Sequence, residues 1–481
     1  MYSNFYLGGA ATNQTDQVTA PNAAYLNMQP HWNLIEVLQG GTYEVRKQRQ
    51  RLLPQEPREA DASYDARLSR SVCPPYLVRL ERLLGGMLTR KPVRLNDVSD
   101  VITEQLFDVD LQGNDLNVWT YLTAVQCIRY GHVGVLVDAP QAGDNGRPYW
   151  VTVTPRDILG WRSEVSNGRQ QLTQLRLLER VTIPNGLYGE KLIEQVRVLT
   201  PGAFEIHRKD DNGEYKIVEE GRTSLSEIPF SVAYSNRTGM LESRPPLADI
   251  AELNLKAYQV QSDLDTILHI SAVPMLAIYG FPQSSEEITS GPGEAMALPF
   301  ESKAEYIEPS GNSYDAQFKR LEQIEKQINE LGLAAVLGQK LTAETAEAKR
   351  IDRSQGDSTM QVVAQQMQDM IDNCLRFHAE YMQETTPGSS FINRDFLGTR
   401  LEPQEIQALL QLYTAGTITQ DTLLTQLSAG EVLGDEFDVE EEIEATQAGG
   451  LVEMTPPTDA SPLEPEDVTM PEAVSTTEVD G

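Results

Sequence analysis

The segment RPPLADIAELNLKAYQVQSDLDTILH, residues 244–269, does most to narrow the fold, because it runs for about two dozen residues with no helix breaker after its first turn. Pro245 and Pro246 suit a helix start, where N–H groups lack intrahelical partners, and Asp249 and Glu252 favour the positive end of the helix dipole. Two apolar rows follow. One holds Leu247, Ile250, Ala251, Ala257, Tyr258, Leu264 and Leu268; the other holds Leu253, Ala257, Val260, Leu264 and Ile267. They are too wide for a single seam. From Pro246 to Ala272, at about 1.5 Å per residue, the segment makes a rod roughly 40 Å long with two adhesive flanks and a polar strip carrying Lys256, Gln259 and Asp263. A core helix of a large globular domain is the plainer reading of the same pattern.

Around this rod the periodicity changes several times. Residues 1–30 are rich in Asn, Thr, Ala and Gly and read as a flexible arm. From His31 to Pro92 the pattern is helical, broken at Pro74 and Pro75, and another helix is expected at NVWTYLTAVQCIRYGH. VGVLVDAP and YWVTVTPRDILGWR then read as strands. Between Gln171 and Glu219 the runs QLTQLRLLERV, IEQVRVL, AFEIHRK and EYKIVEE alternate and are bounded by turn residues, which is an antiparallel meander.

After the rod come strands Met275–Gly280 and Ala304–Ile307 flanking a Gly/Pro/Ser-rich excursion. A second rod then carries Phe318, Leu321, Ile324, Ile328 and Leu331 at helical spacing. A third helix, some 40 residues if unbroken, is expected from Thr342, with Thr342 and Thr345 as its cap and Gly356 as a kink. EPQEIQALLQLYTAG and TQDTLLTQLSAG add two more helices. Beyond Gly449 the chain has no Lys or Arg and reads as disordered.

Composition excludes several functions. No stretch approaches the roughly 18 apolar residues of a membrane span, and the first basic residue is Arg46, so no basic secretory region is present. Cys73, Cys127 and Cys374 are widely separated and read as buried thiols. The sequence has neither a Walker phosphate loop nor a G-x-G-x-x-G loop after a strand. It has no H-E-x-x-H pair and no G-x-S-x-G elbow, so no catalytic residue, cofactor or metal is assigned. His269 and His378 read as structural residues, and GDEFDVEEEIEAT as a solvated helix end without calcium-loop spacing. Acids number 71 against 39 bases, a formal charge of -32, which repels phosphate at long range. Eleven of the 39 bases fall between Arg46 and Lys91; solvated faces or subunit salt bridges are weighed there against nucleic-acid contact and a nucleic-acid enzyme.

The order of parts resembles the portal protein of tailed bacteriophages over roughly residues 31–445. The resemblance is carried by WNLIEVLQGGTYEVRKQRQRLLP, SYDARLSRSVCPPYLVRLERLLGGMLTRKP, CIRYGHVGVLVDAP with VTPRDILGW, PPLADIAELNLKAYQVQSDLDTILH and EIQALLQLYTAGTITQDTLL. It implies an α+β portal fold: a wing of helices plus antiparallel β meander over 31–243, and a stem helix over 244–273, its helical part from 246. A small α/β clip follows over 274–312, a second stem helix over 313–335 and a tunnel loop over 336–344. A long kinked wing helix and connector then span 345–399, a helical crown 400–447 and an acidic tail 448–481.

The family forms rings, usually of about twelve subunits, at one capsid vertex of the virion, after assembly in the host cytoplasm. The implied partners are further copies of the chain, the major capsid protein, the terminase large subunit, neck or adaptor proteins, and double-stranded DNA passing without sequence specificity; no membrane is implied. On this pattern Gln339, Lys340 and Thr342 in the tunnel loop, with Lys319, Arg320 and Lys326 on the second stem helix, are the candidates to face DNA. Leu247, Ile250, Leu253, Tyr258 and Leu264 are the candidates for packing between subunits. A net negative wall fits a channel that DNA must slide past, since each neutralised phosphate slows release. The competing expectation is a capsid or neck adaptor that makes no channel.

Overall fold

The computed structural model describes residues 17–140, 146–166, 168–210, 212–271, 275–279, 303–307, 312–337, 359–394 and 403–430, with isolated positions between 396 and 446. These group into two compact units divided at Leu397 and Gly398. The fold is α+β.

The first helix, α1 (Ala23–Gln39), carries Pro30 in its interior. Gly40 ends it, and Gly41, at φ 65°, opens α2 (Gly41–Lys47). The part of the expected arm that is described, 17–30, is docked. Asn22 donates its backbone N–H to Leu159 O and its side-chain amide to Trp161 O, Tyr25 Oη donates to Arg156 O, and Met28 is buried. Composition suggested an arm because these polar groups find their partners some 130 residues away, at Arg156, Leu159 and Trp161, and short-range periodicity does not register pairing over that distance.

Next come α3 (Asp61–Arg70) and α4 (Tyr76–Leu88), separated by the Pro74–Pro75 break. The short strand β1 (Arg94–Asn96) leads to α5 (Asp100–Gln105), and then α6 (Leu116–Tyr130) begins on the Asp115 side chain, which accepts from Val118 N–H. Gly131 stops α6 at φ 94°, where an added Cβ would fall 2.4 Å from Ser243 Oγ. Directly after it β2 (His132–Asp138) takes the centre of a three-stranded antiparallel sheet, between β3 (Tyr149–Val153) and a later strand.

The meander follows as β4 (Ile158–Ser166), β5 (Arg169–Asn185), β6 (Gly189–Thr200), β7 (Ala203–Lys209) and β8 (Tyr215–Arg222), hydrogen-bonded in sequence order. β9 (Phe230–Tyr234) returns to the three-stranded sheet, and β10 (Arg237–Gly239) pairs with β11 (Glu242–Ser243). The first rod is α7 (Ala248–Ser271). β12 (Met275–Tyr279) and β13 (Lys303–Ile307) form an antiparallel ribbon, with Met275 opposite Ile307. The second rod is α8 (Asn312–Leu337), so the first two positions assigned to the tunnel loop are helical. The third is α9 (Thr359–Met382); the cap at Thr342 and Thr345 and the kink at Gly356 lie outside the described residues. β14 (Ser389–Phe391) closes the first unit against β1. The second unit contains α10 (Pro403–Thr414) and α11 (Gln420–Ala429), which pack on each other.

Strand alternation sends the side chains of β2 into two different cores of the first unit. Val133, Val135 and Val137 of β2 enter the main core, whereas Leu136 points to the other side, with Leu175, Leu177 and Phe230. In the main core Trp119 and Trp150 meet edge to face, with centroids 5.0 Å apart. α9 lays Val363, Met367, Met370, Ile371 and Cys374 into the same core while crossing β9 and β2. All three cysteines are buried and unbridged, and burial pushes the Cys127 thiol up to about 12.

Candidate functional site

The two rods and the ribbon between them are the strongest expectation of the sequence. The chain leaves α7, pairs β12 with β13, and returns in α8, which packs along α7.

At about 100° per residue, α7 places Leu247, Ile250, Ala251, Asn254, Ala257 and Tyr258 on one side and Asp249, Glu252, Lys256 and Asp263 on the opposite side. The first set is buried and the second exposed. The buried side belongs to the main core, where α7 touches α1, α3 and α4 as well as α8. Leu247, Ile250, Tyr258 and Leu264, expected to pack between subunits, are buried inside the subunit instead, whereas Leu253 is half-buried. The physical reason is that a helix flank buries against whatever apolar surface is nearest, and α3 and α4 supply it within the same chain. Each such side chain contributes about 1.5–3 kcal/mol to folding.

A polar device in this packing was not read from the sequence. Asn254 stands in the buried row, where its Oδ1 accepts from Leu77 N–H at 2.9 Å and its Nδ2 donates to Pro74 O at 2.9 Å. It thereby satisfies the first turn of α4 and the carbonyl stranded at the proline break. Its position between Leu247 and Tyr258 on the apolar side was the available signal. Ser262 and Ser71 join hydroxyls at 2.6 Å further along, and Gln259 Nε2 donates to Leu52 O at 3.0 Å. Tyr258 Oη is buried without a partner among the described residues, and burial raises it to about 12.

The second rod is the reverse case. Of its described side chains only Ile324, Ile328 and Gly332 are buried, at i, i+4 and i+8, a single narrow strip. Phe318 is 44 % exposed and Leu331 47 %. Lys319, Arg320 and Lys326 are on the exposed side, and Lys326 Nζ stands 3.7 Å from Glu330. α8 is held to the body by Tyr76 of α4, whose hydroxyl donates to Glu325, and by Gly332, which lets Leu80 come close. Between α4 and α8 lies a groove of about 720 Å³ lined by Tyr76, Arg79, Leu80, Leu83, Met87 and Ile328 among others. Gln339, Lys340 and Thr342 lie outside the described residues.

Part of the basic segment 46–91 is paired within the chain. Arg67 bonds Glu59 through Nε and Nη2 at 2.8 and 2.7 Å, Arg49 meets Asp65 at 2.6 Å, and Lys47 meets Glu44 at 2.8 Å. Fully buried Glu81 receives Arg129 Nε at 3.1 Å and the Gln39 amide, with its other oxygen unpartnered among the described residues. Burial outweighs the guanidinium and pushes its carboxyl up to about 7. Two of the five histidines are buried. Burial lowers His132, 2.7 Å from Ser243 Oγ, to about 3, and lowers His378, 2.8 Å from Gln105, to about 4. Among the described residues no group of three metal-ligating side chains occurs, and no helix is long and apolar enough to cross a membrane.

A family described as "Domain of unknown function (DUF4055)" matches residues 246–382, from the start of the first rod to the end of α9. No curated protein matches the chain. Among solved structures, a chain of the "Virion of native gene transfer agent (GTA) particle" is similar at 11 % identity over 74 % of this chain and 90 % of that one, with a TM-score of 0.42. A chain of the "Neck of native GTA particle computed with C12 symmetry" is similar at 10 % identity over 77 % and 93 %, with a TM-score of 0.40. One from the "Neck of empty GTA particle computed with C6 symmetry" gives 10 %, 74 % and 90 %, also at 0.40.

Proposed function

We propose that the chain is the subunit of a portal ring, a structural protein of a phage virion that forms the DNA channel at one capsid vertex. It would dock terminase during packaging and neck proteins afterwards, and carry out no catalytic step itself. The observation that carries this reading is the pair of rods joined by a β ribbon. α7 is anchored in the body and α8, 26 residues long, leaves most of its described surface outside it. Phe318 and Leu331 stand exposed on it, and copies set side by side around an axis would give them a neighbour and the charged face a lumen.

The charge pattern agrees with a wall that DNA slides along. On α8, Lys319, Arg320 and Lys326 alternate with Asp315, Glu322 and Glu330, so phosphates meet weak contacts of both signs rather than a basic track. In this reading the DNA-facing residues remain Lys319, Arg320 and Lys326, with Gln339, Lys340 and Thr342 in the loop after α8. Capsid protein, terminase, neck proteins and DNA are its partners.

Imaging the purified chain by negative-stain electron microscopy, with mass photometry for subunit number, tests it. A hollow ring is expected. A monomer or dimer at micromolar concentration overturns the reading, and an assembly without an axial hole favours the adaptor instead.

A further inference from the structure

The two outward faces left on α4 and α7 are opposite in charge. On α4 the buried side chains are Leu77, Glu81, Leu84, Gly85 and Leu88, so Arg79, Arg82, Leu83, Gly86 and Arg90 fall on one exposed strip along the other side. Leu83 is 54 % exposed between the two arginines. On α7 the exposed strip is Asp249, Glu252, Lys256 and Asp263, opposite Asn254. Asn254 meets the first turn of α4 from the buried side of α7, so the acidic strip, on the opposite side of α7, faces away from that junction.

We propose that the α4 strip of one copy docks on the α7 strip of the next, Arg79 and Arg82 facing Glu252 and Asp263, with Leu83 covered between them. The proposal rests on the ring reading and gives it an interface. A contact between two different patches of the same chain is heterologous, the kind that closes into a ring. An apolar residue framed by arginines beside a groove holding Met87 and Leu80 has the make-up of a protein interface, in which Arg and Met are enriched. A track for nucleic acid would instead be basic without a protruding Leu. The acidic strip sets three carboxylates against one cation, Lys256, and among the described residues only Asp249 is ion-paired outside it, to Arg244 at 2.8 Å. Partial burial, with Glu56 and Glu59 near, holds Asp263 above the usual carboxylate range despite Arg67 and Lys256, and burial and Asp249 do the same to Glu252 despite His31. A guanidinium from a neighbour would relieve both.

The test is a charge swap on the full chain, read by mass photometry and gel-shift with double-stranded DNA. Arg79→Glu/Arg82→Glu should weaken assembly by about a hundredfold, and so should Glu252→Lys/Asp263→Lys. Combining all four should bring assembly back to within about tenfold of the wild type. All four sites are exposed, so circular dichroism should be unchanged; Arg79→Gln/Arg82→Gln provides a milder variant with a loss in the same direction. Rings that ignore both reversals overturn the interface while leaving the ring reading intact. Rings that persist while Arg79→Glu/Arg82→Glu abolishes a DNA shift assign the strip to nucleic acid and also overturn it. A wild type that never assembles overturns interface and ring together.

Discussion

α7 and α8 are near neighbours in length and lie side by side, yet one is sunk in the body and the other stands mostly outside it. α7 leaves a polar strip of Asp249, Glu252, Lys256 and Asp263 to solvent over its described length before Leu268; α8 hides little more than Ile324, Ile328 and Gly332. A rod buried on most of its circumference contributes to the stability of the subunit, and a rod buried along one strip is available for assembly. The comparison teaches that paired rods need not do the same work.

The largest separation between them is expected from truncation. Ile250→Ala removes a fully packed side chain and should cost about 2–5 kcal/mol. Phe318→Ala on α8 should cost within about 0.5 kcal/mol in the unassembled chain. Urea denaturation below the assembly concentration measures both, and equal losses would break the distinction.

The polar links sharpen it at intermediate size. Asn254→Ala leaves Leu77 N–H and Pro74 O unpaired in a buried junction and should cost about 2 kcal/mol. Tyr76→Phe, which removes only the half-buried hydroxyl bond to Glu325 on α8, should cost about 1 kcal/mol or less. A larger effect of Tyr76→Phe than of Asn254→Ala would mean that α8 is the better anchored rod.

A pH dependence belongs to the body around α7. Glu81 folds with a carboxyl raised from 4.5 to about 7, so its contribution is complete below about pH 4.5 and is lost as pH rises through 7. His132 is depressed from 6.5 to about 3, so its contribution is complete above 6.5 and is lost as pH falls towards 3. Denaturation midpoints across this range should therefore rise with pH through the histidine and fall through the carboxylate. Glu81→Gln should remove the decline between about pH 5 and 7 and leave the acid limb. An unchanged alkaline limb in Glu81→Gln would move that titration to another group.

Periodicity alone carried most of the architecture. The rods, the ribbon, the meander in its sequence order and the two helices after residue 400 were legible because helix and strand periods repeat over a few residues, and so were the buried thiols. Residues 17–30 were not, since Asn22 and Tyr25 are fixed by β4 and the turn before it. Neither was the role of Asn254, a polar residue in an apolar row whose partners lie about 180 residues earlier.

The sequence determined that α7 has a wide apolar circumference and must bury it. Only the tertiary structure decided against what. Hydrophobic burial is proportional to area and indifferent to its donor, so the pattern Leu247, Ile250, Tyr258, Leu264 serves a neighbouring subunit or the chain's own α3 and α4 equally well. The fold brought those helices there, leaving the charged strips and the exposed side of α8 uncovered within the subunit.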